Sequence, residues 1–176
     1  MSSTSADLRA SSCSSCSVKE DMSAYWTPNL YHEDVNGKLT ALNQTGGMLV
    51  YYFLRGDNIQ PFPEDLKMIA GDNRQRDFPW ETVERSYWAA KGLATNQNFL
   101  RQEAIGYNCL NYAEPAQAAL GLREIPQTAN CADGLRAEIF FPSCWDGVNS
   151  DSEDHRSHMA VWGISLRPRA ACAGSA

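Results

Sequence analysis

Long apolar runs are missing from this chain of 176 residues. No stretch approaches the roughly 20 residues that a bilayer-spanning helix needs. The longest, Met48 to Leu54, has the length of a strand. Basic clusters are missing too. Lys and Arg number 15 against 21 Asp and Glu, for a formal charge of −6. An acidic chain repels phosphate backbones unless its cations gather on one face, so nucleic acid is a poor partner. The N-terminus has no positively charged region followed by an apolar segment, and so does not read as a secretory signal. No internal repeat is visible.

What is present is the material of one domain. Apolar residues make up 43% and charged residues 20% of the chain, an ordinary soluble composition. A chain of this length can bury roughly 70% of the surface it exposes when unfolded. Six cysteines, five tryptophans and the sequon Asn43-Gln44-Thr45 suit an extracellular protein. That composition disagrees with the absent signal. The expectation is therefore either a cytosolic protein or a chain whose front has been lost.

Residues 1–17 are rich in Ser and small residues and read as a flexible end, with a short helix starting near Asp7 to Ala10. Residues 24–32 read as an edge strand interrupted by Pro28. Asn36-Gly37 predicts a hairpin turn into a second strand over Lys38 to Leu42, because both central turn positions need positive φ. Met48 to Leu54 reads as a buried central strand. Arg55-Gly56-Asp57-Asn58 reads as a turn, and Leu66 to Ala70 as a further short strand. Residues 84–93 and 97–105 read as short helices or irregular loop. Glu114 to Leu122 reads as a helix, with Pro115 in its first turn. Leu135 to Phe141 alternates, placing Leu135, Ala137, Ile139 and Phe141 on one face. A last strand is expected from His158 to Ile164. Six or seven short strands with few helices predict a mainly β fold, an antiparallel, jelly-roll-like β-sandwich with short helices and irregular loops.

Three groups of residues carry candidate chemistry. The first is Asp146, Asp151, Asp154, His155 and His158, in the most polar stretch of the chain. Carboxylates and imidazoles serve as acid–base pairs or metal ligands. The competing reading is a solvated loop of Asx turns. On a strand, His155 and His158 would face opposite ways, so both line one site only if His155 lies in the loop. The second group is Cys13-x-x-Cys16. No βαβ pattern surrounds it and no second ligand pair stands at zinc spacing. A structural disulfide is the expectation, with Cys109, Cys131 and Cys144 supplying another and the connectivity left open. The third group is aromatic. Tyr25, Trp26, Tyr31, Trp80, Tyr87, Trp88 and Trp145 could stack on sugar rings or fill a core. Trp145, beside the polar loop, is the candidate for a binding cleft.

Several segments in order resemble the fungal DUF1996 family. They include Cys13-Ser14-Ser15-Cys16, Ala24-Tyr25-Trp26-Thr27-Pro28-Asn29-Leu30-Tyr31, Gly46-Gly47-Met48-Leu49-Val50-Tyr51-Tyr52 and Gly106-Tyr107-Asn108-Cys109-Leu110-Asn111-Tyr112. The most specific is Phe141-Pro142-Ser143-Cys144-Trp145-Asp146-Gly147 leading to Asp151-Ser152-Glu153-Asp154-His155-Arg156-Ser157-His158-Met159-Ala160. The resemblance implies an extracellular protein in a polysaccharide or cell-wall context, and no settled reaction. It also implies an H-x-H stretch before the first C-x-x-C and a C-P motif after the S-H-x-A segment, and neither stands in this chain. The expectations are a fragmentary or mis-spliced gene model that is poorly stable alone, with a partial domain over 18–164 and an aberrant, disordered tail over 165–176. For function, one expectation is a secreted carbohydrate-active enzyme using the acidic and histidine residues around a sugar cleft. The other is a non-catalytic cell-wall or sugar-binding module using exposed aromatics. No cofactor, metal or oligomeric state is assigned.

Overall fold

A computed structural model describes residues 4–54, 59, 61–75, 87–114, 122–126 and 131–161. The chain divides into two compact units, Met1–Asp65 and Leu66–Ala176. Among the described residues strand exceeds helix, 18% to 12%, consistent with a mainly β fold. Among the described residues the strands form three separate two-stranded antiparallel sheets. The turn at 55–58, Trp80, the start of the 84–93 segment, all but the ends of the 114–122 helix, Cys172 and the chain beyond 161 lie outside the described residues.

The first unit opens with helix α1, Ser5–Arg9. Thr4 caps it: its hydroxyl accepts from the Asp7 N–H, and the Asp7 carboxylate accepts from the Thr4 N–H in return. The exchange satisfies donors that a helix start leaves open. Ser5 donates to the Asp65 carboxylate and Arg9 pairs with Glu64. Strands β1, Tyr31–Glu33, and β2, Leu39–Ala41, then form the expected hairpin, with Tyr31 opposite Ala41. Gly37 sits at φ 79°, the left-handed conformation such a turn requires. Asp34 Oδ1 accepts from the N–H groups of Asn36 and Lys38 and closes the turn.

Two strand expectations fail in this unit. The edge strand begins only at Tyr31; residues 24–30 lie outside it, although the Leu30 carbonyl still accepts from the Leu42 N–H at 2.9 Å. Met48 to Leu54 is neither buried nor a strand: Leu49, Tyr51 and Leu54 are 76%, 72% and 77% exposed. Tyr51 and Phe53, two residues apart on this stretch, stack with ring centroids 6.4 Å apart. Apolar, β-branched composition makes a strand only where a neighbour offers a row of backbone partners. Among the described residues no strand forms a ladder with this stretch.

The second unit holds the core. Trp88, Leu93, Phe99 and Leu100 are buried together, with Ala94 and Val161 against them. Phe99 meets Trp88 edge to face at 5.0 Å, the geometry the ring quadrupoles favour. These residues come from a 3-10 turn, Leu93–Thr95, and helix α2, Gln97–Glu103, with Trp88 just ahead of them. Asn96 caps α2 by accepting from the Phe99 N–H. Gln97 on α2 clasps the backbone of Val161: its amide donates to the Val161 carbonyl at 3.0 Å and accepts from the Val161 N–H at 2.9 Å. The core is thereby tied to the end of the last strand, next to the polar loop.

Strands β3, Ile105–Leu110, and β4, Gly134–Ile139, form the longest ladder, and the Cys109–Cys131 disulfide lies at its end. The strand lies where the alternation placed it but ends at Ile139, and neither of its faces is covered throughout: Leu135 and Glu138, on opposite faces, are half-buried, whereas Ala137, Ile139 and Phe141 are exposed. Glu138 accepts from the buried Asn108 amide at 2.7 Å and pairs with Arg136 at 2.6 Å. Its face is held by polar contacts that an alternation rule cannot foresee. Strands β5, Cys144–Trp145, and β6, Met159–Ala160, pair as the neck of a hairpin whose long loop is the polar stretch. The strand expected over 66–70 is absent as a strand. Its N–H groups at Lys67 and Ile69 donate instead to the loop carbonyls of Ser150 and His155, each at 2.9 Å. At the end of that segment Gly71, at φ 79°, lies against the side chains of Ile105 and Ile139. The segment thus runs from the polar loop to the β3–β4 ladder.

Candidate acid–base site

The polar loop folds because its acids meet donors within a few residues. Asp146 sits just after β5, and its N–H donates to the His158 carbonyl across the neck at 3.0 Å. Its carboxylate accepts from the N–H of Val148, the side chain of Asn149 and the N–H of Asn149. These bonds hold its pKa below the ordinary value. Asp154 collects still more. Its Oδ1 accepts from the N–H of Ser157 at 2.8 Å and of Arg156 at 3.0 Å, and from the hydroxyls of Ser152 and Ser157 at 2.9 Å. The Ser157 N–H leads; partial burial opposes it and is outweighed, leaving the Asp154 carboxyl well below the usual carboxylate range. Both carboxylates are therefore ionised and occupied by turn donors.

Asp151 faces a different partner. Its Oδ1 lies 2.6 Å from His155 Nδ1 and also accepts from the Ser152 N–H at 2.8 Å. Burial alone would raise its pKa; the His155 and Ser152 bonds outweigh it and leave the group below its ordinary value. An ionised carboxylate only accepts, so His155 donates through Nδ1. Both side chains remain about one-third exposed. His155 stands at φ 53°, a left-handed conformation in which His is enriched among non-glycine residues. Two backbone bonds hold it there: its N–H to the Ser152 carbonyl at 2.8 Å, and its carbonyl to the Ile69 N–H.

His158 is the opposite case. It is 2% exposed, its Nδ1 lies 2.8 Å from Ser152 Oγ, and its buried Nε2 meets no hydrogen-bond partner among the described residues. Trp145 is half-buried, and its indole N–H donates to the Asn149 carbonyl at 2.6 Å, which leaves only its ring face for any ligand. Arg156 braces the loop from behind, donating through Nε to the Gly71 carbonyl at 2.8 Å and through Nη1 to the Asp154 carbonyl at 3.0 Å.

The loop thus gathers all five acidic and histidine candidates, though into three local arrangements. Asp151 and His155 form a pair, Asp154 and His158 meet through Ser152, and Asp146 caps its own turn. Beside them opens a concavity of about 480 Å³ lined by Arg74, Glu153, Asp154 and Ser157. The Asp151–His155 pair adjoins this set in sequence but is not part of its lining. Ser152, Arg156 and Arg74 are the site residues that sequence reasoning misses. Ser152 and Arg156 stand inside the run of acids and histidines, and that position is the signal that could have found them. Among the described residues, no group of three or more His, Cys, Asp or Glu side chains is placed to hold a metal ion. Cys13 and Cys16 are free and exposed, so the disulfide expected there is not formed. No described helix is long and apolar enough to cross a membrane.

A family model described as a domain of unknown function (DUF1996) matches residues 1–175. No curated protein and no solved structure matches the chain.

Proposed function

This chain belongs to the DUF1996 family, and we propose that it is a secreted, carbohydrate-active domain in which Asp151 and His155 act as an acid–base pair on a polysaccharide. The observation that carries the reading is the 2.6 Å bond between Asp151 Oδ1 and His155 Nδ1. With its proton held on Nδ1, the His155 ring presents a lone pair on Nε2. That atom can take a proton from a sugar hydroxyl or an attacking water, and Asp151 then stabilises the imidazolium that forms. A pair of this kind contributes roughly 100- to 10,000-fold in rate. Asp146 and Asp154 shape the loop, and the Arg74-lined concavity beside it offers charged groups for hydroxyl-rich ligands. The Cys109–Cys131 disulfide supports the extracellular part of the reading, since such bonds persist in oxidising compartments. The glycan part rests on the wall-associated context that the family resemblance implies. Within the Leu66–Ala176 unit we read the two strand pairs as parts of a jelly-roll-like β-sandwich, a reading supported by their antiparallel pairing.

A second reading is favoured by a different observation. In the Met1–Asp65 unit, Tyr51 and Phe53 are stacked and exposed, and Trp26 is 47% exposed. Exposed rings of this kind can stack on pyranose faces without turnover. The two readings part in one experiment: a panel of soluble and insoluble polysaccharides, scored for binding and for new reducing ends. The acid–base reading expects cleavage that falls about 100-fold or more in kcat for His155→Ala, with KM little changed. Glycan retention without cleavage, lost in Tyr51→Ala/Phe53→Ala and kept in His155→Ala, overturns it in favour of the binding module.

A further inference from the structure

We infer that Ser152 is a positioning residue that fixes His158 in one neutral form, with the proton on Nδ1 and a lone pair on an enclosed Nε2. This goes beyond the acid–base reading and stands without it.

The argument is a count of protons. Ser152 Oγ lies 2.9 Å from Asp154 Oδ1, 2.8 Å from His158 Nδ1 and 3.2 Å from the Arg156 backbone nitrogen. A hydroxyl has one hydrogen and two lone pairs. The Arg156 N–H can only donate, so it takes one lone pair. Asp154 is ionised under the donors that converge on its Oδ1, so it can only accept and takes the hydrogen. One lone pair remains for His158, and Nδ1 must therefore carry a proton. The reverse assignment would leave the serine oxygen and a carboxylate oxygen 2.9 Å apart with no hydrogen between them. A second proton on the ring would place an unmet N–H and a charge at Nε2, which is costly in an enclosed site. The His158 side chain is only 2% exposed, and no described partner meets that nitrogen. The neutral ring with its proton on Nδ1 is the form that satisfies both ends.

Ser152 thus separates the roles of two histidines three residues apart. Through its backbone it supports the Asp151–His155 pair, since its N–H donates to Asp151 and its carbonyl accepts from the His155 N–H. Through its hydroxyl it holds His158, whose ring braces the loop from within and presents an acceptor-only nitrogen. The His155 ring stays partly open to solvent, and Nε2 of His158 does not.

Imidazole nitrogen chemical shifts test this directly. Long-range proton–nitrogen spectra of the uniformly ¹⁵N-labelled full chain, recorded near pH 7.5, distinguish a protonated from a bare ring nitrogen at each histidine. His158 is assigned by loss of its signals in His158→Gln. The expected spectrum shows His158 with a protonated Nδ1 and a bare Nε2. Ser152→Ala removes the acceptor that holds the proton on Nδ1 and should shift the His158 ring-nitrogen signals away from the wild-type pattern. Ser152→Thr, which keeps the hydroxyl, should retain the wild-type signature. A wild-type His158 protonated on Nε2 overturns the inference, as does a Ser152→Ala variant whose His158 signals do not move. Should the alanine variant fail to fold, the wild-type and threonine spectra decide. The readout contains no turnover, so its failure is distinguishable from failure of the acid–base reading.

Discussion

Replacing Asp154 with alanine removes the acceptor on which four donors of the loop converge. Two of these, the hydroxyls of Ser152 and Ser157, can turn to other partners or to water. The other two, the backbone N–H groups of Arg156 and Ser157, are fixed in the turn: the Ser157 N–H loses this acceptor, and the Arg156 N–H keeps only its longer contact to Ser152 Oγ at 3.2 Å. Hydrogen bonds to a charged group contribute about 1.5–3 kcal/mol each. The carboxylate is partly open to solvent, so the lower end applies. Two such bonds lost together cost about 2–3 kcal/mol, or roughly 4–12 °C in Tm for a chain of this length. The pH dependence follows from the sign of the shift. The Asp154 pKa is depressed in the folded chain. Its stabilisation is therefore fully present above the unfolded value, near 3.9, and is lost as pH falls through the folded one. Thermal melts followed by circular dichroism at pH 7, 5 and 3 should show the full gap between wild type and Asp154→Ala at pH 7 and 5, narrowing at pH 3. Asp154→Asn keeps Oδ1 as a neutral acceptor and should fall between the two at pH 7. A variant melting within about 1 °C of wild type at pH 7 would refute the account of this loop as held by one ionised carboxylate. So would a gap that holds its size at pH 3.

Two further outcomes check the fold that carries the loop. Phe99 is the one large side chain fully buried among the described residues. Phe99→Ala should cost about 3–5 kcal/mol in urea denaturation, and a cost under about 1 kcal/mol would show that the core lies elsewhere. At Gly37 the backbone is left-handed, and an added Cβ meets nothing closer than Glu33 Oε1 at 3.7 Å. Gly37→Ala should therefore cost about 1–2 kcal/mol through backbone conformation alone. Gly37→Asn should recover most of that loss, and equal losses in the two variants would point to a clash instead.

The site is more legible in the sequence than the frame around it. Asp146, Asp151, Asp154, His155 and His158 stand out as a run dense in carboxylates and imidazoles, and the competing reading of Asx turns describes what Asp146 and Asp154 do. That His155 must leave strand geometry to join the others is also legible, and its φ of 53° in the loop agrees. Ser152 is signalled only by its position among the acids and histidines, not by its residue type; its importance lies in where its single proton goes. Met48 to Leu54 shows the converse failure. Its composition is that of a central strand, yet composition describes one side of a pairing, and the described chain provides no second side. Glu138 and Ile139 repeat the lesson on a smaller scale, since period-2 alternation names two faces without saying which is covered.

Short-range chemistry was therefore determined by the amino-acid sequence itself: the Asn36-Gly37 turn with Asp34 closing it, the self-capping of Asp146 and Asp154, and the gathering of acids and histidines into one loop. Each involves partners within a few residues, where chain connectivity alone brings the groups together. Only the tertiary structure decided that Gln97 clasps Val161, that residues 67–69 hydrogen-bond to the loop carbonyls, and that His158 is buried while His155 is not. The first two of these contacts join groups far apart along the chain, and the burial of His158 depends on the same packing. They exist because the core of Trp88, Leu93, Phe99 and Leu100 sets the strand ends in space.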